Sequence, residues 1–293
     1  MTYTDKTNSL TPFARAVIEH KNTEPPHSGI YQGKQGHGTY LCRRCGIALF
    51  RASHQFISSC GWPSFDDEIE GRIKQIPDKD GFRTEILCQR CDGHLGHIFT
   101  GEYLTIRNKR HCVNSVSIDF VLDETVQDTD EVIVAGGCFW GVEHYLQQIP
   151  GVLMAESGYT GGTVDNPSYN QVCNGDTGHY EAVRVLFDRE KATSTQVLTR
   201  FFNIHDPSQS TGQGPDRGPQ YRSAIFFHND QQAQIAKSLC LKLEEKGIQL
   251  ATQLLAAQPF WPAEQYHQDF YEKQGHKPYC HSFVERLPED SAD

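Results

Sequence analysis

No uninterrupted apolar stretch in the 293 residues approaches the ~18 needed to cross a bilayer, so the sequence predicts no transmembrane helix. The opening segment MTYTDKTNSLTPFARAVIEHK is polar and mixed in charge, without the basic-then-apolar order of a secretory signal. The expected location is therefore the cytoplasm, and no membrane partner is expected. Excess positive charge is also missing. Against 37 acidic residues stand 27 Lys and Arg, a net charge of -10, which makes nucleic acid an unfavourable partner. Low-complexity tracts and internal repeats are absent as well. Hydrophobic residues at 37% and aromatics at 11% supply enough apolar material for packed cores and exclude wholesale disorder.

Cysteine, by contrast, is plentiful: there are ten. That is far below the density of a small disulfide-stapled scaffold, and structural disulfides are rare in a reducing compartment. The cysteines are then expected to be metal ligands, redox groups or nucleophiles.

The length is about that of two domains. Residues 1–120 carry 15 bases and 13 acids, residues 121–130 (VLDETVQDTD) carry four acids and no base, and residues 131–293 carry 12 bases and 20 acids. The polar, acidic run separates two apolar segments and reads as a linker at 125–130, between domains at 1–124 and 131–293. The first half has one helix near Thr11 to His20. Short β runs follow at Gly38 to Leu41, Thr84 to Leu87 and Val113 to Phe120. It is expected to be a mainly-β, zinc-containing antiparallel-sheet domain. The second half alternates strands at Glu131 to Ala135, Glu181 to Phe187 and Ser223 to Phe227 with helices at Phe139 to Gln148, Ser194 to Asn203 and Asp230 to Lys246. That pattern predicts an α/β two-layer sandwich.

Cys42 and Cys45 form one C-x-x-C, and Cys88 and Cys91 form another. Each pair follows an extended run and precedes a Gly or Asp-Gly turn. Two such knuckles close a tetrahedral four-thiolate site that suits one structural Zn²⁺ and leaves no open position. The competing reading, two redox-active pairs, needs a strand-to-helix context that neither pair has. No organic cofactor is expected.

Cys60 lies in SSCGWPSF and Cys112 in NKRHCVNS, directly after Lys109, Arg110 and His111. Cationic neighbours favour the thiolate, although a lone strand cysteine is also an ordinary small buried residue. His94 and His97, in GHLGHIF, supply imidazoles that could move protons or bind metal. The first Cys knuckle, CGWPSF, the second Cys knuckle, GHLGHIF and RHCVNS, in this order and with TEPPHSGIY upstream, resemble the type B methionine sulfoxide reductase family over nearly all of residues 10–121. The resemblance implies Cys112 as nucleophile and Cys60 as resolving thiol. It also implies Trp62 as the pocket for the sulfoxide methyl, with His94, His97, Arg110 and Asn114 binding or protonating the oxygen. The short GEYLTIRNKR segment before Cys112 departs from the longer Pro-rich loop of many members, which bears on the shape of the substrate mouth.

In the second half, EVIVAGG runs into Cys138 at the start of a helix, where the dipole and free N–H groups favour a thiolate. Phe139 and Trp140 follow. They are either core or a sulfur-binding pocket. Glu181, in GHYEAVRVLF, is either a surface residue or, if buried, a general acid. Tyr159 and Tyr221 are candidate hydroxyl donors or structural residues. GCFWGVE, SGYTGG, GDTGHYEAV, HDPSQ, GPQYRSAI and FWPAEQYHQ together resemble the type A methionine sulfoxide reductase family over about residues 131–281. That resemblance implies Cys138 as nucleophile and Phe139 and Trp140 as the methyl pocket. Glu181, Tyr159 and Tyr221 would act on the oxygen, Asp206 would support the site, and Cys280 would be the resolving thiol. Cys240 and Cys173 are read as structural.

The two resemblances imply a fused enzyme that reduces methionine sulfoxide, the R form in the first half and the S form in the second. Each thiolate becomes a sulfenic acid, a second thiol condenses with it, and thioredoxin recycles the disulfide. Substrates would be oxidised proteins, peptides or free methionine sulfoxide. The presence of only Met1 and Met154 agrees with work under oxidant. Two rivals are a zinc-ribbon module joined to an interaction domain, and a general dithiol oxidoreductase.

Overall fold

A computed structural model of the chain describes residues 6–33, 35–122 and 125–289, so Asp123 and Glu124, at the expected domain edge, lie outside the described residues. The chain divides into two compact units, Met1–Thr129 and Asp130–Asp293. Residues 126–129 of the acidic run pack within the first unit. Val126 is fully buried, its carbonyl accepts from Arg51 at 3.2 Å, and the Gln127 carbonyl accepts from Ala48 N–H.

The first unit opens on α1 (Pro12–Ile18). Thr11 caps it, its hydroxyl accepting from Ala14 N–H at 3.1 Å, and Pro12 sits where a missing N–H does no harm. Ala14, Val17 and Ile18 share the buried stripe. The strands are β1 (Gly38–Cys42), β2 (Ala48–Arg51), β3 (Gln55–Phe56), β4 (Ser64–Phe65), β5 (Ile73–Pro77), β6 (Thr84–Cys88), β7 (His94–Thr100), β8 (Lys109–Val113) and β9 (Ile118–Leu122). They form a three-stranded sheet, β2-β1-β9, and a six-stranded sheet, β3-β4-β8-β7-β6-β5, with antiparallel pairing throughout. The core includes Tyr40, Leu49, Phe50, Phe65 and Ile86, with Phe50 and Phe65 stacked at 4.4 Å.

One expectation is corrected here. Val113 to Phe120 is not a single strand: β8 ends at Val113, residues Ser115–Ser117 make a 3-10 turn, and β9 starts at Ile118. The break lies where Asn114 spends its amide on backbone, donating to the Leu95 carbonyl and accepting from Glu24 N–H, so the chain leaves the ladder.

The second unit contains β10 (Thr129–Gly136), which begins on the last residue of the first, then α2 (Phe139–Leu146), β11 (Val152–Thr160), α3 (Tyr169–Cys173), β12 (Tyr180–Asp188), α4 (Ser194–Ile204), β13 (Gly212–Gln213), β14 (Asp216–Arg217), β15 (Ser223–Phe227), α5 (Asp230–Glu245), β16 (Gln253–Ala256), β17 (Trp261–Pro262) and α6 (Phe270–Gln274). A six-stranded mixed sheet runs β16-β15-β10-β12-β11-β17, with β15 and β16 parallel. Strand alternation sends Val132, Val134, Val183, Val185 and Ile225 into one core with α2, α4 and α5. Ile133, Ala135, Ala182, Ala224 and Phe226 go into a second core on the other face. Glu181 is two residues before Val183 and so falls on the helix face, buried. Helix α4 begins on a capping box, Thr193 with Gln196.

Candidate active sites and metal centre

The two C-x-x-C knuckles converge. Cys42, Cys45, Cys88 and Cys91 are all buried, and their four sulfurs lie within 4.8 Å of one another, with Cys45–Cys88 at 3.5 Å and Cys42–Cys91 at 3.7 Å. Tetrahedral Zn–S bonds of about 2.3 Å require S···S separations of about 3.8 Å, so the donor set fits the ion in number, chemistry and spacing. The turns are held by Gly46 N–H to the Cys42 carbonyl and Asp92 N–H to the Cys88 carbonyl.

The remaining two cysteines of the first unit also meet. Cys112 on β8 and Cys60 in the loop before β4 bring their sulfurs to 3.6 Å. The contact with Cys112, with further help from the Ser58 and Ser64 hydroxyls, lowers the Cys60 thiol to about 4. The same contact, with burial, raises Cys112, while the Arg110 guanidinium pulls it back down. The two sulfurs therefore titrate as a pair, with the first charge favoured on Cys60. Cys112 is the sulfur that faces a cavity of about 80 Å³, lined also by Trp62, Arg83, His97, Phe99 and Asn114.

Strand geometry decides which neighbours of Cys112 matter. Residues alternate faces, so Arg110 and Cys112 share one side, and Lys109 and His111 take the other. His111 is fully buried away from the thiol, on the Phe65 carbonyl at 3.1 Å and the Glu68 carboxylate at 2.7 Å. Only Arg110 of the basic run acts on the thiol. It is held by a two-pronged ion pair to Glu102 at 2.7 and 2.8 Å and lies over Phe99 at 4.4 Å.

His97 is paired directly with Cys112 across β7 and β8, and its Nε2 meets Asp78 at 2.5 Å. His94 binds Glu85 at 2.7 Å, is buried, and stands 5.7 Å from His97 ring to ring without lining the cavity. Burial lowers its pKa. Glu24 is a hub that sequence reasoning did not single out. Its carbonyl accepts from the Trp62 indole at 2.9 Å, its N–H donates to Asn114, and its carboxylate accepts from Ser115 N–H at 2.7 Å. It lies inside the TEPPHSGIY segment, which was the available signal.

In the second unit Cys138 is the N-cap of α2. Gly137 precedes it at φ +98°, and a side chain there would run into Gln213 at 2.5 Å, so the turn demands glycine. The first helical N–H, from Phe139, donates to Glu181 at 3.1 Å. Glu181 is 1% exposed, and desolvation raises its carboxyl to about 8, with Asp216 and Cys280 adding to the rise. Cys138, Cys280 and the Asp216 carboxylate lie within 4.8 Å of one another. The contact with Cys138, supported by His281, lowers Cys280 to about 6, whereas Cys280, burial and Glu181 raise Cys138.

Phe139 is buried among Tyr159, Tyr169 and His267. Trp140 is half-buried. Its indole donates to His267 at 3.1 Å and stacks on Phe270 at 3.7 Å. The buried Glu143 carboxylate accepts from Asp269 N–H at 2.9 Å and so seats the segment that carries Phe270. Desolvation raises Glu143 to about 8.

Tyr159 is paired with Glu181 across β11 and β12, but its hydroxyl donates to Glu264 at 2.9 Å. The other oxygen of Glu264 accepts from Tyr169 N–H at 2.9 Å. Tyr159 therefore fastens α3, and Tyr169, which sequence reasoning did not pick, lies within the field of Glu181 and Tyr221. Burial, then Glu181, raises the Tyr221 phenol. Asp206 makes its side-chain hydrogen bonds within its own loop. It accepts from Ser208 and Gln209, and its N–H donates to Gln213, the residue against Gly137. Cys240 is half-buried against the core, and Cys173 is exposed.

Known proteins match both units. The profile described as "Peptide methionine sulfoxide reductase" covers residues 130–292, and the "SelR domain" covers residues 10–122. A Vibrio cholerae protein named "Peptide methionine sulfoxide reductase MsrA/MsrB" is 46% identical over 155 residues. That match takes in 52% of this chain and 41% of the relative, so it spans less than half the relative's length. The Pasteurella multocida "Peptide methionine sulfoxide reductase MsrA" is 45% identical over 153 residues, 52% of this chain and 88% of that one. Among solved structures, Mxr1 from Saccharomyces cerevisiae in reduced form is similar with a TM-score of 0.50 and 32% identity, over 53% of this chain and 92% of that one.

Proposed function

Because the chain belongs to the peptide methionine sulfoxide reductase family through residues 130–292 and carries a SelR domain before it, we propose that it reduces methionine sulfoxide at two independent centres, the R epimer in the first unit and the S epimer in the second. The observation that carries this reading is the pair of dithiols, each set against its own proton-moving groups: Cys112–Cys60 beside His97, and Cys138–Cys280 beside Glu181. Sulfoxide sulfur is chiral, and one site cannot place both epimers with the methyl in its pocket and the oxygen at its acid. That requirement gives a reason for two sites.

In each unit the thiolate attacks the sulfoxide sulfur while an acid protonates the oxygen. Methionine leaves, and the cysteine is left as a sulfenic acid. The second thiol attacks it, a disulfide forms and water departs. An external dithiol, with thioredoxin as the expected reductant, restores both thiols by exchange.

In the first unit Cys112 is the nucleophile because it faces the cavity, with Cys60 as resolver. Trp62 receives the methyl, and His97, oriented by Asp78, holds or protonates the oxygen. Asn114 keeps one amide N–H for the same purpose. Arg110 stabilises the thiolate, and His94 supports the Glu85 side of the site. In the second unit Cys138 is the nucleophile, Phe139 and Trp140 make the apolar pocket, and Glu181 is the acid. Tyr221 and Tyr169 supply the hydroxyls, with Tyr159 positioning α3 through Glu264. Asp206 supports the loop against Gly137. The four knuckle cysteines would hold one structural Zn²⁺, which contributes folding energy and takes no part in either reaction. The location follows the thiol chemistry, which needs a reducing compartment such as the cytoplasm.

The test is turnover of separated R and S sulfoxides in a model peptide. Both epimers should yield methionine, and a protein that reduces neither while exchanging ordinary disulfides would replace this reading with that of a general dithiol oxidoreductase.

Glu181 adds a pH test. With its carboxyl raised to about 8, the acid form dominates at pH 7 and is lost as pH rises through about 8. The kcat/KM for the S epimer should therefore fall on the alkaline side while that for the R epimer keeps a different profile. Glu181→Gln cannot deliver the proton and should lose about 100-fold or more on the S epimer alone. An unchanged S profile in the variant would remove Glu181 from the acid role.

A further inference from the structure

Cys280 is followed directly by a buried imidazole. His281 is 4% exposed, and its Nε2 lies 2.8 Å from the Gly136 carbonyl. A carbonyl oxygen only accepts, so Nε2 carries the hydrogen, and Nδ1 of the neutral ring keeps its lone pair. That lone pair faces the Cys280 sulfur at 3.0 Å. The ring occupies space left by α2: a Cβ on Gly141 would come within 2.2 Å of Nδ1. The helix that carries Cys138 at its N-cap thus also makes room for the imidazole one turn on.

The geometry points to His281 as the general base for the resolving step, taking the proton from Cys280 as this sulfur attacks the sulfenic acid on Cys138. The proposal rests on the two-thiol reading of the second unit given above. The S–H bond of Cys280 breaks to Nδ1, the Cys138–Cys280 S–S bond forms, and the S–O bond of the sulfenic acid breaks. The departing hydroxide takes the proton back from the imidazolium and leaves as water. No further oxidant enters, because the sulfenic oxygen comes from the substrate.

The Cys138 thiol, whose contact does most to lower Cys280 in the reduced pair, is gone once Cys138 is a sulfenic acid, so burial then holds the Cys280 proton on and the imidazole is the remaining group that draws it off. Just past the end of α4, buried His205 is lowered to about 3 and so is uncharged. Arg286 is the cation acting on His205, and Asp216 and Glu181 are the acids facing the two thiols. A base in reach of the thiol contributes typically 100-fold or more.

The experiment is a single turnover without reductant, using full-length protein in a Cys112→Ser background and a peptide carrying the S sulfoxide. Three quantities are read: methionine released, sulfenic acid trapped by dimedone, and free thiols lost. His281→Gln should slow disulfide formation at pH 7 about 100-fold more than it slows methionine release, and trapped sulfenic acid should accumulate. Raising the pH, so that Cys280 ionises unaided, should restore the rate. His281→Asn places an oxygen near the Nδ1 position that can accept the S–H but cannot take the proton, and it should be as slow as the Gln variant. Disulfide formation at the parent rate in either variant would overturn the assignment. Equal loss of methionine release and disulfide formation in both would also overturn it, since His281 would then be a structural residue. If the parent itself releases no methionine, the proposed function has failed, not the role of His281.

Discussion

Cys112→Ser should abolish turnover of the R sulfoxide and leave the S sulfoxide within about twofold, and Cys138→Ser should do the reverse. The expected loss is more than about 1000-fold in kcat/KM for the affected epimer, because removing a nucleophile removes the covalent path itself rather than one stabilising contact. The reason for independence is structural. Each proposed nucleophile has its own partner thiol, Cys60 at 3.6 Å in one unit and Cys280 within 4.8 Å in the other. Each unit also has its own core, and the two cores share no residue. The measurement is steady-state turnover of each separated epimer by both variants, with thioredoxin or a small dithiol as reductant. Loss of both epimers in either variant would rule out two independent centres.

The second large effect concerns the metal. Cys88→Ser should strip one equivalent of zinc from the protein and unfold the first unit, so that R turnover disappears and S turnover persists. Binding of a structural zinc contributes on the order of 10 kcal/mol, and a domain is stable by roughly 5–15 kcal/mol in total. Loss of the ion is therefore comparable to the whole stability of this unit. Cys42, Cys45, Cys88 and Cys91 belong to the same core cluster as Tyr40, Phe50 and Phe65, so an ion held there would be tied to the packing of both sheets. The checks are metal content by mass spectrometry and two-probe melting, in which the variant should lose one transition and keep the other. A metal-free variant with a normal first transition and normal R turnover would reduce the knuckles to a loop feature.

The cysteine spacings and the local motifs made much of the chemistry legible. Two C-x-x-C pairs 42 residues apart implied one metal site, and the structure brings their sulfurs within tetrahedral reach. A cysteine after Gly-Gly at a strand-to-helix turn implied an N-cap thiol, and Cys138 is that N-cap. These readings depended on short-range rules: knuckle geometry, helix start signals and side-chain alternation.

Other features were hidden because they depend on which faces meet. Lys109, Arg110 and His111 look equivalent beside Cys112 in the sequence, yet the period of two sends His111 into the opposite core and leaves Arg110 alone with the thiol. Tyr159 and Tyr221 look alike as hydroxyl donors, but the hydroxyl of Tyr159 is taken up by Glu264, 105 positions away. Glu24 reaches Asn114 and Ser115 across 90 and 91 positions, and no local pattern foretells such a contact.

The sequence by itself determined the parts: the number of thiols, the candidate metal ligands, the two-family order and the strand and helix segments with clear periodicity. Only the tertiary structure decided the state of those parts. Whether Glu181 is an ordinary surface carboxylate or an acid held at about 8 depends on its desolvation beneath α2. Whether His281 is filler or a base depends on a carbonyl 145 positions earlier that fixes its tautomer. Protonation and reactivity are set by dielectric surroundings and by hydrogen-bond partners, and those come from packing between segments far apart in the chain.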